Sequence, residues 1–163
     1  NSATPRPASP RAGPATRRLE PGASGGTALV PGGSAPLGAE GVGASHLCVD
    51  RSSRFVLTAN YGVGTISLLP IDPADGSLGP ATEYSHGEGA AHGAVGTWRE
   101  GPKFRQEQCH PHGVVCDPIN NAVFVADLGS NCVVRWALDA DAAALHSPTS
   151  YAVENSFAGP RCT

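Results

Sequence analysis

The sequence repeats one pattern of short apolar runs, and the two copies lie 67 residues apart. The first copy spans residues 46–72 and the second residues 113–139, and the shift aligns them without a gap. Asp50 then aligns with Asp117, at a turn between two runs. Each copy holds three β-type runs separated by turn residues, which is the pattern of antiparallel strands in a meander.

A repeated sheet of about 40–50 residues is typical of a β-propeller blade. The observed spacing is longer, so we expect an insertion between the copies, in the polar, glycine-rich segment 85–108. A fourth strand is expected near residues 81–84 in the first copy and near 150–154 in the second. The pattern therefore predicts an all-β fold with almost no helix over residues 44–157.

The amino-terminal segment 1–32 has a different composition, rich in Pro, Ala, Ser and Gly, with four early arginines. Such low complexity predicts a disordered tail. An Arg-rich presequence for organellar targeting is the alternative. Within this segment, residues 18–21 and 26–30 are candidate remnants of the outer strands of a preceding blade.

Charge and cysteine content restrict the partners and the compartment. The net charge is −3, so no global basic field attracts nucleic acid or an anionic membrane, and no apolar run reaches the length of a membrane span. Five cysteines without a CxxC pair indicate reduced thiols and a cytoplasmic protein. A zinc site at Cys109, His110, His112 and Cys116 is disfavoured because strand alternation scatters the side chains. We expect neither a metal nor a cofactor.

Two stretches carry a resemblance to a known family. Residues 44–80 (ASHLCVDRSSRFVLTANYGVGTISLLPIDPADGSLGP) and 110–139 (HPHGVVCDPINNAVFVADLGSNCVVRWALD) resemble consecutive blades of the seven-bladed lactonase family. That family includes bacterial-type 6-phosphogluconolactonase and the fungal carboxymuconate-cyclising enzyme. The NYG, HPH and ADLG motifs carry the resemblance together, and it covers roughly residues 44–161.

The resemblance implies a domain organisation. A closed ring of seven blades needs about 300 residues or more, so 163 residues indicate a partial propeller with about two complete four-stranded blades. We interpret residues 33–163 as the propeller fragment, with blades at 44–84 and 110–157, a long loop at 85–109 and the start of a third blade at 158–163. The absence of methionine, even at position 1, agrees with a fragment of a longer protein.

The blade entrances predict a site. Aligning them places Ser45, His112 and Arg161 at equivalent positions, and the innermost strands of a propeller line its central channel. We therefore expect these side chains to converge at one mouth of the channel. A histidine titrates near neutral pH and can activate water, whereas an arginine can hold an anionic group through paired hydrogen bonds.

The resemblance assigns roles to these residues. A histidine of the HxH entrance, His112 or His110, and the arginine of the GPRH-type entrance, Arg161, match the proposed catalytic residues of the cyclising branch. A further glutamate of that site lies beyond this sequence, and Cys162 stands where the motif usually has histidine. Ser45, His46 and the loop residues Arg105 and Gln106 are expected to bind substrate. The alternative is that the histidines only bond backbone carbonyls and that Arg161 is a surface residue.

These features favour a sugar-lactone hydrolase that acts on a small anionic lactone. The leading reaction is the hydrolysis of 6-phosphogluconolactone to 6-phosphogluconate in the pentose phosphate pathway, carried out by the full-length parent and not by the fragment alone. One alternative is a carboxymuconate-cyclase-like enzyme. Another is a propeller that keeps the fold as a scaffold or binding module without catalysis.

Overall fold

The computed structural model describes residues 15–21, 27–35, 43–86, 108–153 and 160–161, with side chains from Ala35 onward. These ranges hold ten β-strands and no helix, so none of the described segments is a helix that could cross a membrane. The strands are β1 Ala15–Pro21, β2 Thr27–Ser34, β3 His46–Val49, β4 Phe55–Asn60, β5 Thr65–Pro70, β6 Thr82–Tyr84, β7 Pro111–Cys116, β8 Ala122–Asp127, β9 Cys132–Asp139 and β10 Ala144–Ala152. The predicted all-β fold is confirmed.

The first copy of the repeat forms a four-stranded antiparallel sheet in the order β3-β4-β5-β6. Its first turn is shaped by Asp50, whose carboxylate accepts hydrogen bonds from the backbone N–H groups of Ser52, Arg54 and Phe55. Burial opposes the charged form, but a hydrogen bond from Ser52 Oγ and these backbone hydrogen bonds prevail and lower the pKa of Asp50. The turn between β4 and β5 closes at Gly64, which has a φ of 74°, a conformation that glycine adopts without strain.

The second copy forms the equivalent sheet, in the order β7-β8-β9-β10. Asp117 accepts hydrogen bonds from the backbone N–H groups of Ile119 and Asn120, so it shapes the first turn as Asp50 does in the other sheet. The fourth strand, β10, begins at Ala144 instead of near residue 150 as predicted. Pro148 is tolerated in this strand because β10 is an edge strand and has a register shift between His146 and Thr149.

The two sheets pack face to face over one hydrophobic core. The first sheet contributes side chains from β4 and β5, and the second contributes alternate side chains of β7, β8 and β9 together with Leu145. These residues are Phe55, Leu57, Ala59, Ile66, Leu68, Val114, Val123, Val125, Cys132, Val134, Trp136, Leu138 and Leu145. Period-two alternation places every second residue of β8 and β9 in this interface.

The inner strands β3 and β7 lie side by side, and the contacts along this interface join residues 66 to 68 positions apart. Ser45 contacts the backbone of His112, Cys48 lies against Cys116, and Arg51 donates to the carbonyl of Ile119. The sequence period of the repeat is therefore also the spatial step from one sheet to the next. Such neighbouring inner strands are what the predicted propeller requires.

The amino-terminal strands β1 and β2 form an antiparallel pair with a bulge between Thr16 and Arg17. They include residues 18–21 and 27–30 of the short segments that the sequence marks as candidate outer strands, although most of the pair lies within the segment 1–32 predicted to be a disordered tail. Ala35, directly after β2, packs with Val56 and Leu69 on the far face of the first sheet. The exact domain boundaries remain predictions.

Candidate functional site

One end of the two sheets brings together four chain segments. They are the residue before β3, the β4–β5 turn, the entrance of β7 and the β8–β9 turn. The last two are adjacent because Pro111 pairs with Asp127 in the β7–β8 ladder. The predicted site residues Ser45, His46, His110 and His112 all lie at this end. Arg105 and Gln106 lie outside the described residues.

His110 is buried, and its contacts connect the two sheets. Its backbone N–H donates to the Asp127 carboxylate at 2.8 Å, and its Nδ1 donates to the carbonyl oxygen of Tyr61 at 2.7 Å. The imidazole also stacks on the Tyr61 ring, with centroids 4.3 Å apart. These contacts agree with the alternative that His110 only bonds a backbone carbonyl, because its ring already binds and stacks on the neighbouring sheet.

His112 has different surroundings, although only Pro111 separates the two histidines. Its half-buried ring meets the edge of the Tyr61 ring, with centroids 5.9 Å apart and planes at 89°. Within the described residues, its Nδ1 is buried and has no hydrogen-bond partner. The register shift between Pro111 and Gly113 gives the physical reason, since a bulge re-aims side chains that strict alternation would place on one face.

Asp127 organises the buried part of this end. Its carboxylate accepts hydrogen bonds from His110 N, Ser130 N and Ser130 Oγ, and from His86 Nε2 at 2.5 Å. Burial would lower the pKa of His86, but its hydrogen bond to Asp127, its contact with Cys109 and the carboxylate charge together raise that pKa to about 9. The pKa of Asp127 is lowered, since its hydrogen bonds outweigh the effect of burial. The pair is therefore ionic at neutral pH.

The sequence gives no sign of the His86–Asp127 pair. His86 stands in the segment interpreted as a polar loop, and Asp127 reads as an ordinary turn residue. The repeat is no guide either, because the position aligned with Asp127 is Asn60. That amide lies in a neutral buried network, accepting from Thr58 Oγ1 and donating to Ser67 Oγ.

The side chains of His86, Cys109 and Asp127 form the one group of possible metal ligands found in the described residues, with their ligand atoms within 4.8 Å of one another. Cys109 Sγ also lies 3.1 Å from Ser130 Oγ. Both oxygens of Asp127 already accept hydrogen bonds, so the geometry is that of a hydrogen-bonded cluster. The zinc site considered from the sequence, formed by Cys109, His110, His112 and Cys116, is not assembled, because Cys116 contacts Cys48 instead.

Ser45 and His46 lie between the two inner strands. Ser45 Oγ is within 3.2 Å of the carbonyl oxygens of Ala59, Pro111 and His112, so its hydroxyl donates to the backbone and bridges the sheets. His46 Nδ1 accepts a long hydrogen bond of 3.4 Å from Val114 N. Arg161 is exposed, and it makes no hydrogen bond or ion pair with the rest of the described chain.

Comparison with known proteins decides the family. The profile described as "Lactonase, 7-bladed beta-propeller" matches residues 29–163. The chain belongs to this lactonase family. The match begins within β2 and covers both four-stranded sheets, which are two neighbouring blades of the lactonase propeller.

Individual lactonase relatives agree with this assignment. Over 100 residues the chain is 34% identical to "6-phosphogluconolactonase" of Bacillus subtilis, covering 61% of this chain and 25% of that protein. The structure of a periplasmic gluconolactonase of Pseudomonas aeruginosa matches with a TM-score of 0.66 at 26% identity, covering 91% of this chain and 38% of the other. A Bacteroides uniformis protein, named provisionally as a 6-phosphogluconolactonase, matches with a TM-score of 0.64 at 28% identity, covering 90% and 38%. The chain thus spans between a quarter and two fifths of the length of these relatives.

Proposed function

We propose that these residues form two blades of a sugar-lactone hydrolase whose substrate is 6-phosphogluconolactone. The observation that carries the proposal is the 34% identity to a 6-phosphogluconolactonase over 100 residues. The similarity to a gluconolactonase structure supports the same class of substrate, a cyclic ester of a sugar acid. Since the four described cysteines are free thiols, we also propose a reducing compartment, the cytoplasm.

His112 is the proposed general base. Its ring has a nitrogen without a partner among the described residues, whereas the ring of His110 is bonded and stacked. In the proposed reaction His112 removes a proton from water while the water oxygen attacks the lactone carbonyl carbon. The tetrahedral intermediate then breaks its ring C–O bond, and the imidazolium returns the proton to the leaving alkoxide. The product is the open hydroxy acid.

Arg161 is the proposed anion-binding residue. Its guanidinium remains charged at all relevant pH values and matches a phosphate or carboxylate with paired hydrogen bonds. The side chain is exposed and makes no ion pair with the described residues, so it is free to bind an anionic ligand. Arg105 and Gln106 at the end of the long loop, together with His46, are proposed to complete substrate binding.

An assay on a seven-bladed protein that contains these residues tests the proposal. The substrates are 6-phosphogluconolactone, unphosphorylated gluconolactone and carboxymuconate, each compared with its spontaneous reaction. We expect turnover of the phosphorylated lactone above the spontaneous rate and a loss of about 10²-fold or more in kcat for His112→Gln. The matched control is His146→Gln at an exposed histidine of β10, which should keep normal activity.

Two outcomes would contradict the proposal. Turnover of carboxymuconate alone would favour the cyclase alternative. A wild-type protein that is folded, shown by a sharp thermal transition, and yet hydrolyses no lactone would favour a non-catalytic propeller. Normal turnover by the His112→Gln variant would keep the hydrolase but move its general base to another residue.

A further inference from the structure

Two cysteines face each other across the interface between the inner strands. Cys48 on β3 and Cys116 on β7 have their Sγ atoms 3.4 Å apart. Both residues are half-buried, and both pack against the hydrophobic core. In a disulfide the sulfur atoms are about 2.05 Å apart, and an approach of about 1.4 Å would therefore form the bond.

Contacts on either side of the cysteines hold the two strands at this separation. On one side, Ser45 Oγ contacts the carbonyls of Pro111 and His112, and His46 Nδ1 accepts from Val114 N. On the other side, Arg51 Nη1 donates to the carbonyl of Ile119 at 2.9 Å. The thiols are thus kept close together by the fold, and proximity of this kind greatly favours an intramolecular reaction over an intermolecular one.

The other two described cysteines have different surroundings. Cys109 and Cys132 are both buried, with 9% and 1% of their surface exposed, and Cys109 lies against Ser130. Burial raises the pKa of Cys132 to about 12, which keeps it a thiol, and thiols react far more slowly than thiolates. Exposure therefore singles out Cys48 and Cys116 as the accessible thiols among the four described cysteines.

We propose that Cys48 and Cys116 are a redox-active pair that a low-molecular-weight disulfide, such as oxidised glutathione, converts into a disulfide between the two blades. The Cys48 thiolate attacks one sulfur of the small disulfide, forms a mixed disulfide and releases one small thiolate. Cys116 then gives up its proton to solvent and attacks the Cys48 sulfur, which releases the second small thiolate. The protein loses two electrons and two protons, and the small disulfide is reduced to two thiols.

The hydrogen bond between the sulfurs sets the order of attack. A hydrogen bond from Cys116 outweighs the effect of burial and lowers the pKa of Cys48. For Cys116, the hydrogen bond with Cys48 and, to a smaller extent, burial both raise the pKa. Cys48 therefore carries more thiolate and reacts first, and Cys116 resolves the mixed disulfide. The bridge would close a loop from residue 48 to residue 116, which takes in the whole inserted segment, and would fix the two inner strands together.

Peptide mapping of the full-length protein tests the inference, which does not depend on the proposed enzymatic activity. The protein is treated with oxidised glutathione under native conditions and in guanidinium chloride, then alkylated and digested with trypsin. The Cys48 peptide ends at Arg51, and the Cys116 peptide, residues 106–135, also holds Cys109 and Cys132. Tandem mass spectrometry therefore has to locate the bridge within it. We expect Cys48–Cys116 to be the main bridge in the native protein and one of several in denaturant.

Variants separate the two roles. Cys116→Ser should trap glutathione on Cys48, since no second thiol remains to resolve the mixed disulfide, and neither Cys116→Ser nor Cys48→Ser should form the bridge. Cys162→Ser, at a cysteine outside both inner strands, is the matched control and should bridge normally. The inference would be overturned if the same mixture of disulfides formed in the native protein as in denaturant. It would also be overturned if both cysteines carried stable glutathione and no bridge formed between them.

Discussion

The imidazole of His110 stacks on the phenol ring of Tyr61, with centroids 4.3 Å apart and ring planes 14° apart. The two residues lie 49 positions apart and belong to different blades. The same imidazole donates to the carbonyl of Tyr61 at 2.7 Å. One histidine of the HPH motif therefore joins the blades, and the other, His112, lies at the same end of the sheets with a buried ring nitrogen that has no partner among the described residues.

Removing the Tyr61 ring should destabilise the protein by about 1–3 kcal/mol, because the stacked and edge-on contacts with both histidines are lost together. The measurement is the free energy of unfolding of Tyr61→Ala from urea titration. Tyr151→Ala, at a tyrosine 53% exposed, is the matched control and should change that free energy by less than about 0.5 kcal/mol. Equal effects of the two substitutions would mean that the stacking contributes nothing.

The His86–Asp127 pair should make stability depend on pH. The pKa of His86 is raised from 6.5 to about 9 in the folded protein, so its contribution is fully present below pH 6.5 and lost as the pH rises to about 9. The pKa of Asp127 is lowered, so the stabilisation is also lost in acid, as the pH falls below about 3.8. The alkaline loss should reach at most about 3 kcal/mol, the equivalent of the His86 shift.

Unfolding free energies at several pH values between 6 and 9 check this dependence. His86→Gln should be less stable near pH 6 and should lose most of the dependence over this range. His146→Gln, which changes an exposed histidine, should keep the wild-type slope. A wild-type protein with equal stability at pH 6.5 and pH 9 would contradict the ionic pair.

Gly129 allows the β8–β9 turn to pack against the entrance of β7. A Cβ at this position would overlap the carbonyl oxygen of Gln108 and lie 2.7 Å from His110 N, and both are backbone atoms that no side-chain rotation can move. Gly129→Ala should therefore cost about 1–3 kcal/mol or more of unfolding free energy, and it should displace the histidine entrance. Gly43→Ala is the control, because a Cβ there meets no atom within 4 Å. Comparable melting temperatures for the two variants would contradict the close approach.

The sequence predicts local features of this fold well and long-range polar contacts poorly. Period-two alternation and the aligned aspartates Asp50 and Asp117 predict strands and turns, because both signals act over a few residues. The difference between His110 and His112 depends on a register shift that no spacing reveals. The His86–Asp127 pair joins positions 41 apart, and no pattern in either segment connects them. The sequence thus predicted a set of candidate site residues. It did not predict which of their side chains are held by structural contacts and which are available to bind a ligand.

The 163-residue polypeptide expressed alone should be poorly folded or prone to aggregate, and should lack lactonase activity. Leu47 and Val49 on β3 are 50% and 48% exposed, and Val115 and Tyr151 on the second sheet are 46% and 53% exposed. Apolar side chains in these places lie on blade faces, which in a propeller are covered by neighbouring blades, and repeat arrays need about three units for stability. Val56 lies on the same face as its cross-strand partner Val49 but is protected, since it packs with Ala35. Association should therefore occur mainly through the exposed side chains of β3 and through the second sheet. Size-exclusion chromatography and thermal unfolding check the expectation, with Val115→Lys as a variant that should reduce association. A monomer with a sharp thermal transition and lactone turnover above the spontaneous rate would show that two blades suffice.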